Sequence, residues 1–369
     1  MTYSKGLEGV IVDETAVSNV EGDIGRLTYR GYPIEGLVKK DYLSVVWLVL
    51  FGEFPTGPEH KALADYFKAH GMTGAIDEKL LNSIDLQLHP MAMLQGMIPL
   101  LQLSSARFLD ESPDVSEGLQ IIAKLPTLIA VYHRRQEGKD MVRFDPGLDY
   151  LANFLTMFNG HQPDSEQVDV LSVTQILQME HSFNAGTFAS KCVSSTLASV
   201  KSVLAAGVGA LSGELHGGAD EAAVNIAKSV GSPDKAAAFV AELLAKKGKL
   251  MGMGHREYRV VDPRAGILKP MAKSLCRGTS AENLYETLEA LELAFNAEMQ
   301  AKGKDIWANV EYYKGAVFEA LGIPANNFTA LFAMARAVGW LAHFREDRQD
   351  NRIFRPKAQY TGAGYRDIP

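Results

Sequence analysis

The sequence predicts a mostly α-helical protein with a short β element near its N-terminus. Segment after segment places apolar residues at helical spacing, and glycine, proline or polar breakers separate these segments. The chain lacks the alternation of strands and helices that is typical of a parallel α/β sheet. Because 369 residues exceed what one compact core usually holds, two domains are expected. No flexible linker is recognisable, so one domain is expected to be inserted into the other.

The elements follow in order along the chain. Residues 7 to 30 alternate apolar and polar side chains, with glycines at 22, 25 and 31, which is typical of short strands and turns. Helices are then predicted over 41–51, 58–71, 114–138, 147–160, 167–211, 220–230, 235–247, 280–302 and 327–345. Ser232 and Pro233 favour a helix start, as N-cap and first-turn residues.

Two of these helices carry polar residues whose environment can be predicted. The segment Lys191 to Leu211 is rich in small residues and is expected to be a buried packing or subunit-interface helix. Its two lysines are expected to reach solvent at one edge. His343 lies on a charged face of the last helix and is interpreted as a surface residue.

Bulk properties exclude several classes of function. Lys and Arg total 37 against 44 Asp and Glu, and a net charge of −7 argues against general nucleic-acid binding. Two cysteines, no signal-peptide pattern and no apolar run of membrane-spanning length favour a soluble, cytoplasmic protein. No HExxH or CxxC motif occurs and the histidines are scattered, so no metal site is expected.

The most informative stretch is Gly252-Met-Gly-His-Arg-Glu-Tyr-Arg-Val-Val-Asp-Pro-Arg264. Its glycines allow a tight turn that delivers His255, whose proton exchanges near neutral pH. Arg264 adds a cation whose fork fits a carboxylate. His216 is likewise followed by two glycines. A histidine satisfied in a turn accounts for about half of such cases, but the flanking glycines favour a site.

Further candidates lie downstream. Glu311 follows Asn-Val, and Arg355 stands in Phe-Arg-Pro-Lys. Arg336 lies within an apolar helix, where a buried cation is costly without a partner and therefore indicates an anionic ligand. Arg264 could instead cap a helix or pair with Asp262. Together these residues predict an acid/base site for a small anionic substrate.

The chain resembles the citrate synthase family over nearly its whole length. The resemblance rests on motifs that occur in the family's order: Gly6-Leu-Glu-Gly-Val with Leu27-Thr-Tyr-Arg-Gly-Tyr-Pro-Ile-Glu-Gly-Leu, His181-Ser-Phe-Asn-Ala-Gly-Thr-Phe, Leu215-His-Gly-Gly-Ala-Asp-Glu-Ala, the His255 stretch and Arg355-Pro-Lys. One such motif alone would be weak evidence, whereas the ordered series is specific.

The resemblance implies condensation of oxaloacetate, or a related 2-oxo acid, with an acyl-CoA, without a metal or a tightly bound cofactor. It implies that His216 donates to the thioester oxygen, that Glu311 takes the α-proton, and that His255 donates to the ketone. It also implies the ligand-binding residues. Substrate carboxylates would be held by His181, Arg264, Arg336 and Arg355, and the CoA phosphates would lie near Arg259.

The resemblance further implies an all-α homodimer in which Arg355 is supplied by the neighbouring subunit. A large domain would comprise 1–217 and 322–369, and a small domain, 218–321, would be inserted into it. Closure of the small domain would exclude water from the reacting carbon.

Two departures from the family pattern leave alternatives open. The family base is aspartate where this chain has Glu311, and Gln178-Met-Glu180-His181 replaces the common His-Ala-Asp-His. Citrate synthase activity is the leading hypothesis. The alternatives are 2-methylcitrate synthase activity with propionyl-CoA, and a low-activity or silent paralogue that binds CoA or a carboxylate.

Overall fold

The computed structural model describes residues 4–368, and these residues form a helical protein with one small sheet. The strands are β1 (Ser18–Glu21), β2 (Arg26–Tyr29) and β3 (Tyr32–Pro33). The first helices are α1 (Ile34–Leu37), α2 (Tyr42–Phe51), α3 (Gly57–His70), α4 (Ala75–Ser83), α5 (Pro90–Leu100), α6 (Pro113–Gln136), α7 (Tyr150–Asn159) and α8 (Ser165–Met179). The remaining helices are α9 (Ala185–Ser194), α10 (Val200–Leu211), α11 (Ala219–Val230), α12 (Ala236–Ala245), α13 (Pro263–Cys276), α14 (Glu282–Gln300), α15 (Val310–Ala320) and α16 (Phe328–Asp347). The predicted fold class is confirmed.

The predicted segment 167–211 is not one helix, because it breaks twice. It forms α8, α9 and α10, and each break contains a residue with a left-handed backbone, Ser182 (φ 51°) and Leu197 (φ 63°). Asn184 then caps α9 by accepting hydrogen bonds from the N–H groups of Gly186 and Thr187. The first break therefore places His181 in a loop between two buried helices.

The small sheet is antiparallel with strand order β1-β2-β3, and Asn19 pairs with Thr28. It is anchored to the end of α8 by the buried Tyr29. The hydroxyl of Tyr29 donates to the Ile176 carbonyl (2.9 Å) and accepts from the Glu180 N–H (3.3 Å). The N-terminal hairpin is thereby attached beside the His181 loop.

The core is built around α16, which is almost entirely buried and packs on α2, α6, α8, α9 and α10. Gly207 permits close packing of α10, because a Cβ there would lie 2.6 Å from Trp340. Two expectations about polar residues are wrong. His343 is fully buried and its Nε2 lies 3.0 Å from Glu180, while Lys191 is 1% exposed and paired with Asp347.

The helices from α11 to α15 pack mainly on one another, through α11 on α15, α13 on α15 and α12 on α14. Contacts of α13 and α15 with α8 bring this group against the core helices. In the part of the chain that the structure describes, no helix is both long and apolar enough to cross a membrane.

Candidate active site

The loop between α12 and α13 is tied to the start of α15. Gly252 (φ 80°) and Gly254 (φ 84°) adopt left-handed conformations that glycine tolerates. The Gly254 N–H donates to the Trp307 carbonyl (2.8 Å), and the Asn309 N–H donates to the Gly252 carbonyl (2.9 Å). A side chain at Gly252 would lie 2.9 Å from Tyr312. These contacts place His255 beside the first turn of α15, which contains Glu311.

His255 is oriented by its own loop. Its Nδ1 accepts hydrogen bonds from the N–H groups of Glu257 (3.0 Å) and Tyr258 (3.3 Å). Burial, reinforced by the Arg264 guanidinium, lowers the pKa of His255. A neutral imidazole that accepts at Nδ1 carries its proton on Nε2. The two backbone donors at Nδ1 therefore assign the ring proton to Nε2, and the 3.4 Å approach of Arg264 Nη2 to Nε2 is then a contact and not a hydrogen bond.

His216 has the opposite tautomer for the same kind of reason. Its Nε2 accepts from the Gly186 N–H (3.1 Å) and lies 3.2 Å from Asn184 Oδ1. Burial lowers the pKa of His216 to about 4, and Arg336 acts in the same direction. The neutral ring then carries its proton on Nδ1, the nitrogen that can donate a hydrogen bond. This close approach uses the missing Cβ of Gly186, which would lie 3.2 Å from Nε2.

Glu311 is partly buried at the N-terminal turn of α15, where Asn309 Oδ1 accepts its backbone N–H (3.1 Å). Burial raises the pKa of Glu311, but Arg264, Lys314 and His255 lower it more, so the net shift is downward. Glu311 in turn acts to raise the pKa of His216 and of His255. The carboxylate and both imidazoles therefore lie within one electrostatic neighbourhood.

Two buried arginines supply positive charge. Arg264 is 2% exposed and its Nε and Nη2 donate to both oxygens of Asp262 (3.0 and 2.8 Å). Arg336 is 1% exposed, donates from Nε to the Gln178 carbonyl (2.8 Å), and lies 4.9 Å from the ring centre of Phe332. The ion pair between Arg264 and Asp262, one of the alternatives in the sequence analysis, is therefore present. Arg264 Nη2 also lies 3.4 Å from His255 Nε2.

His181 completes the cluster from the break after α8. Its Nε2 lies 3.0 Å from the Tyr258 hydroxyl, and its ring centre is 5.4 Å from that of His255. Burial lowers the pKa of His181 well below its ordinary value, and Arg264 adds to this effect. His181 is thus a neutral ring beside a cation, like the other two histidines.

A cleft of about 480 Å³ opens on one side of His255. Its lining includes the exposed Arg259, together with Lys249, Phe295 and Trp307. The Arg259 N–H donates to the Gly22 carbonyl (3.0 Å), so the N-terminal hairpin supports this wall. The cleft combines aromatic surface and positive charge.

One predicted residue does not join the cluster within this chain. Arg355 is exposed in the segment after α16, and its Nη1 donates to the neighbouring Pro356 carbonyl (2.9 Å). Three residues near the site were not singled out from the sequence. Tyr258 contacts His181, Asn184 contacts His216, and Lys314 lowers the pKa of Glu311. Tyr258 could have been predicted as a site residue, because it lies within the stretch from Gly252 to Arg264.

The fold and the cluster together define a class of protein: a helical enzyme that can form and stabilise an enol beside a bound carboxylate. Neutral imidazole donors stabilise charge on carbonyl oxygens, a carboxylate removes a proton from carbon, and buried arginines bind carboxylate groups. Among residues 4–368, no group of three or more His, Cys, Asp or Glu side chains could hold a metal ion.

Comparison with known proteins shows the family to which this chain belongs. The family model "Citrate synthase, C-terminal domain" matches residues 6–357, and the chain belongs to the citrate synthase family, whose members are acyltransferases. It is 37% identical to citrate synthase of Synechocystis sp. over 98% of this chain and 91% of that protein. It is 33% identical to 2-methylcitrate synthase of Mycobacterium tuberculosis over 99% and 92%, respectively.

Solved structures agree in fold. Citrate synthase from Thermotoga maritima superposes with a TM-score of 0.88 at 33% identity, covering 100% of this chain and 98% of that chain. Citrate synthase from Thermoplasma acidophilum, in a ternary complex with carboxymethyl coenzyme A and oxaloacetate, gives a TM-score of 0.91 at 28% identity, with the same coverage.

Proposed function

We propose that this protein condenses acetyl-CoA with oxaloacetate and hydrolyses the product to citrate and CoA. The observation that carries the proposal is the complementary orientation of two neutral imidazoles near one carboxylate. His216 accepts a backbone N–H at Nε2 and His255 accepts at Nδ1, so each neutral ring carries its proton on the other nitrogen, from which it would donate to a ligand, while the pKa of Glu311 is lowered. Citrate synthases at 34–37% identity support the choice of reaction.

The proposed chemistry assigns one proton to each group. Glu311 takes a proton from the acetyl methyl group, and His216 donates its Nδ1–H to the thioester oxygen, which stabilises the enol. The enol carbon then attacks the ketone carbon of oxaloacetate. As the thioester carbonyl re-forms, the enol proton returns to His216, while His255 gives its Nε2–H to the ketone oxygen. Water then cleaves the thioester, giving citrate and free CoA.

The remaining predicted residues bind the substrates. His181, Arg264 and Arg336 would hold the oxaloacetate carboxylates, because two buried cations and a neutral donor suit a dianion. Arg259 would contact the CoA phosphates at the mouth of the cleft. No tightly bound cofactor is needed, and acyl-CoA acts as a co-substrate. The structure from Thermoplasma acidophilum, which contains a CoA derivative and oxaloacetate, supports this choice of ligands.

Arg355 would complete the carboxylate site from the neighbouring subunit of a homodimer, since it is exposed and far along the C-terminal segment. Residues 1–217 and 322–369 would form the large domain, and 218–321 would close over the substrates. We expect a cytoplasmic location, for which two free cysteines are suitable. Light scattering tests the dimer, and loss of activity in Arg355→Ala tests the shared arginine.

Propionyl-CoA is the second candidate co-substrate, because 2-methylcitrate synthase of Mycobacterium tuberculosis matches almost the whole chain. A thiol-release assay decides between the candidates. Oxaloacetate is supplied with acetyl-CoA, with propionyl-CoA, or with no acyl-CoA, and free CoA is measured. Faster release from acetyl-CoA is expected. Preference for propionyl-CoA would select the second candidate, and no release from either pair would contradict the proposed function.

A further inference from the structure

Lys314 is a fully buried cation close to the candidate active site. It lies on α15 one helical turn after Glu311, and its side chain is 0% exposed. Its Nζ lies 3.0 Å from Asp220 Oδ2, donates to Gln178 Oε1 (2.8 Å), and is 4.3 Å from the ring centre of Phe332. A buried ammonium is expensive unless it is paired and hydrogen-bonded, and here both conditions are met.

Each partner of Lys314 comes from a different helix. Asp220 lies on α11, Gln178 on α8 and Phe332 on α16. The ammonium therefore joins the helix that carries Glu311 to three others. It also connects to the substrate-binding arginine, because the Gln178 carbonyl accepts from Arg336 Nε and Phe332 lies against the Arg336 guanidinium. Lys314 and Arg336 thus share two neighbours, Gln178 and Phe332.

The charges around Glu311 come from several elements. The titratable and charged groups that act on it are Arg264, Lys314, His255, His216, Asp220 and Arg336. Among the cations, Arg264 lowers the pKa of Glu311 most and Lys314 follows. Asp220 is itself fully buried, and burial raises the pKa of its carboxyl even though Lys314 opposes this shift.

We propose that Lys314 is a positioning residue for Glu311: held by Asp220, Gln178 and Phe332, its ammonium fixes the first turn of α15 and with it the place of the carboxylate. The inference rests on the proposed function, because it concerns proton removal by Glu311. Lys314 touches no reacting atom in this scheme and acts only through its neighbour.

The test replaces Lys314 by methionine, which keeps the length and apolar stem but removes the charge. Because Lys314→Met leaves Asp220 buried without its cation, a second variant combines it with Asp220→Asn. The matched control is Lys124→Met, which removes another buried lysine from its pair with the buried Asp77 on α4. A further variant, Lys314→Arg, keeps a positive charge at this position.

CoA release from acetyl-CoA and oxaloacetate is measured between about pH 5 and about pH 9, where the acidic limb of kcat reports the base in the enzyme–substrate complex. In both Lys314→Met proteins, kcat is expected to fall roughly 10- to 100-fold. The acidic limb is expected to move to higher pH, because Glu311 has lost a neighbouring cation. KM for oxaloacetate should change little. Lys314→Arg should restore the wild-type limb, and Lys124→Met should leave the limb in place.

A folded double variant with wild-type kcat and an unmoved acidic limb would overturn the inference while leaving the proposed function intact. Wild-type protein that releases no CoA from either acyl-CoA would overturn both. If Lys314→Met alone fails to fold, the double variant, in which no unpaired buried carboxylate remains, provides the decisive profile.

Discussion

Replacing Glu311 by glutamine tests the proposed base most directly. Glutamine has nearly the same shape, and the Asn309 contact to the backbone N–H at this position is unaffected. The carboxylate, whose pKa is lowered by Arg264, Lys314 and His255, is lost. A positioned general base contributes about 10²- to 10⁴-fold, or about 2.7–5.4 kcal/mol of the activation barrier. We expect kcat to fall within this range.

The assay is CoA release at saturating oxaloacetate and acetyl-CoA. Glu319→Gln is the matched control, because Glu319 lies on the same helix and pairs with Lys228 outside the cluster. Its kcat should equal that of the wild type. A Glu311→Gln protein with full turnover would refute the assignment of the base.

Glu311→Asp keeps the carboxylate but shortens the side chain by one methylene group, so it tests whether the position of the carboxylate matters. The start of α15 is fixed by the Asn309 contacts with the Gly252 and Gly254 carbonyls, so the backbone does not readily follow a shorter side chain. A displacement of about 1 Å can cost about 10²-fold in rate. A slower enzyme is expected, and a faster one would show that this pocket is built for aspartate.

Three further predictions concern neighbouring groups. Gly186→Ala would place a Cβ 3.2 Å from His216 Nε2, so kcat is expected to drop about tenfold while the melting temperature changes little, as measured by thermal denaturation beside the CoA assay. Arg336→Leu should raise KM for oxaloacetate by roughly 10- to 100-fold, the equivalent of one charged hydrogen-bonded contact, and leave KM for acetyl-CoA nearly constant. Burial lowers the pKa of His133 to about 4. Between about pH 6.5 and about pH 4 the unfolded chain therefore binds more protons than the folded protein, and the free energy of unfolding decreases as the pH falls. His133→Phe, which retains an aromatic ring against Phe158, should reduce this loss when urea midpoints are compared at both ends of that range.

The residues of the candidate site could be proposed from the sequence because they lie in local motifs. A tight turn was expected at Gly252 and Gly254, and both adopt left-handed conformations in the loop that carries His255. The buried Arg336 was identifiable because an arginine within an apolar helix requires a partner.

Long-range pairing could not be read in the same way. His343 and Lys191 look like surface residues because their partners, Glu180 and Asp347, are distant in sequence. Burial of each was decided by tertiary contacts that compensate its charge. Lys314 escaped notice for the same reason, because its partner Asp220 lies on a different helix.

Helix boundaries failed where the backbone uses uncommon conformations or residues. Ser182 and Leu197 adopt positive φ values without being glycine, so the breaks in 167–211 had no sequence signal. Five helices were not predicted, namely α1, α4, α5, α13 and α15. Two of them, α5 and α13, contain Pro99 and Pro270. Proline inside a helix ordinarily argues against one, and tertiary packing overrides that preference here.

The neutral state of the pocket imidazoles has a consequence for ligand binding. The pKa of His181 is lowered first by burial and then by the neighbouring guanidinium of Arg264. A dianion seated between the arginines would cancel much of that repulsive field, so the proton affinity of the ring would rise on complex formation. Calorimetry of oxaloacetate binding in buffers of different ionisation enthalpy would measure any hydrogen ions that the ring takes up in the complex.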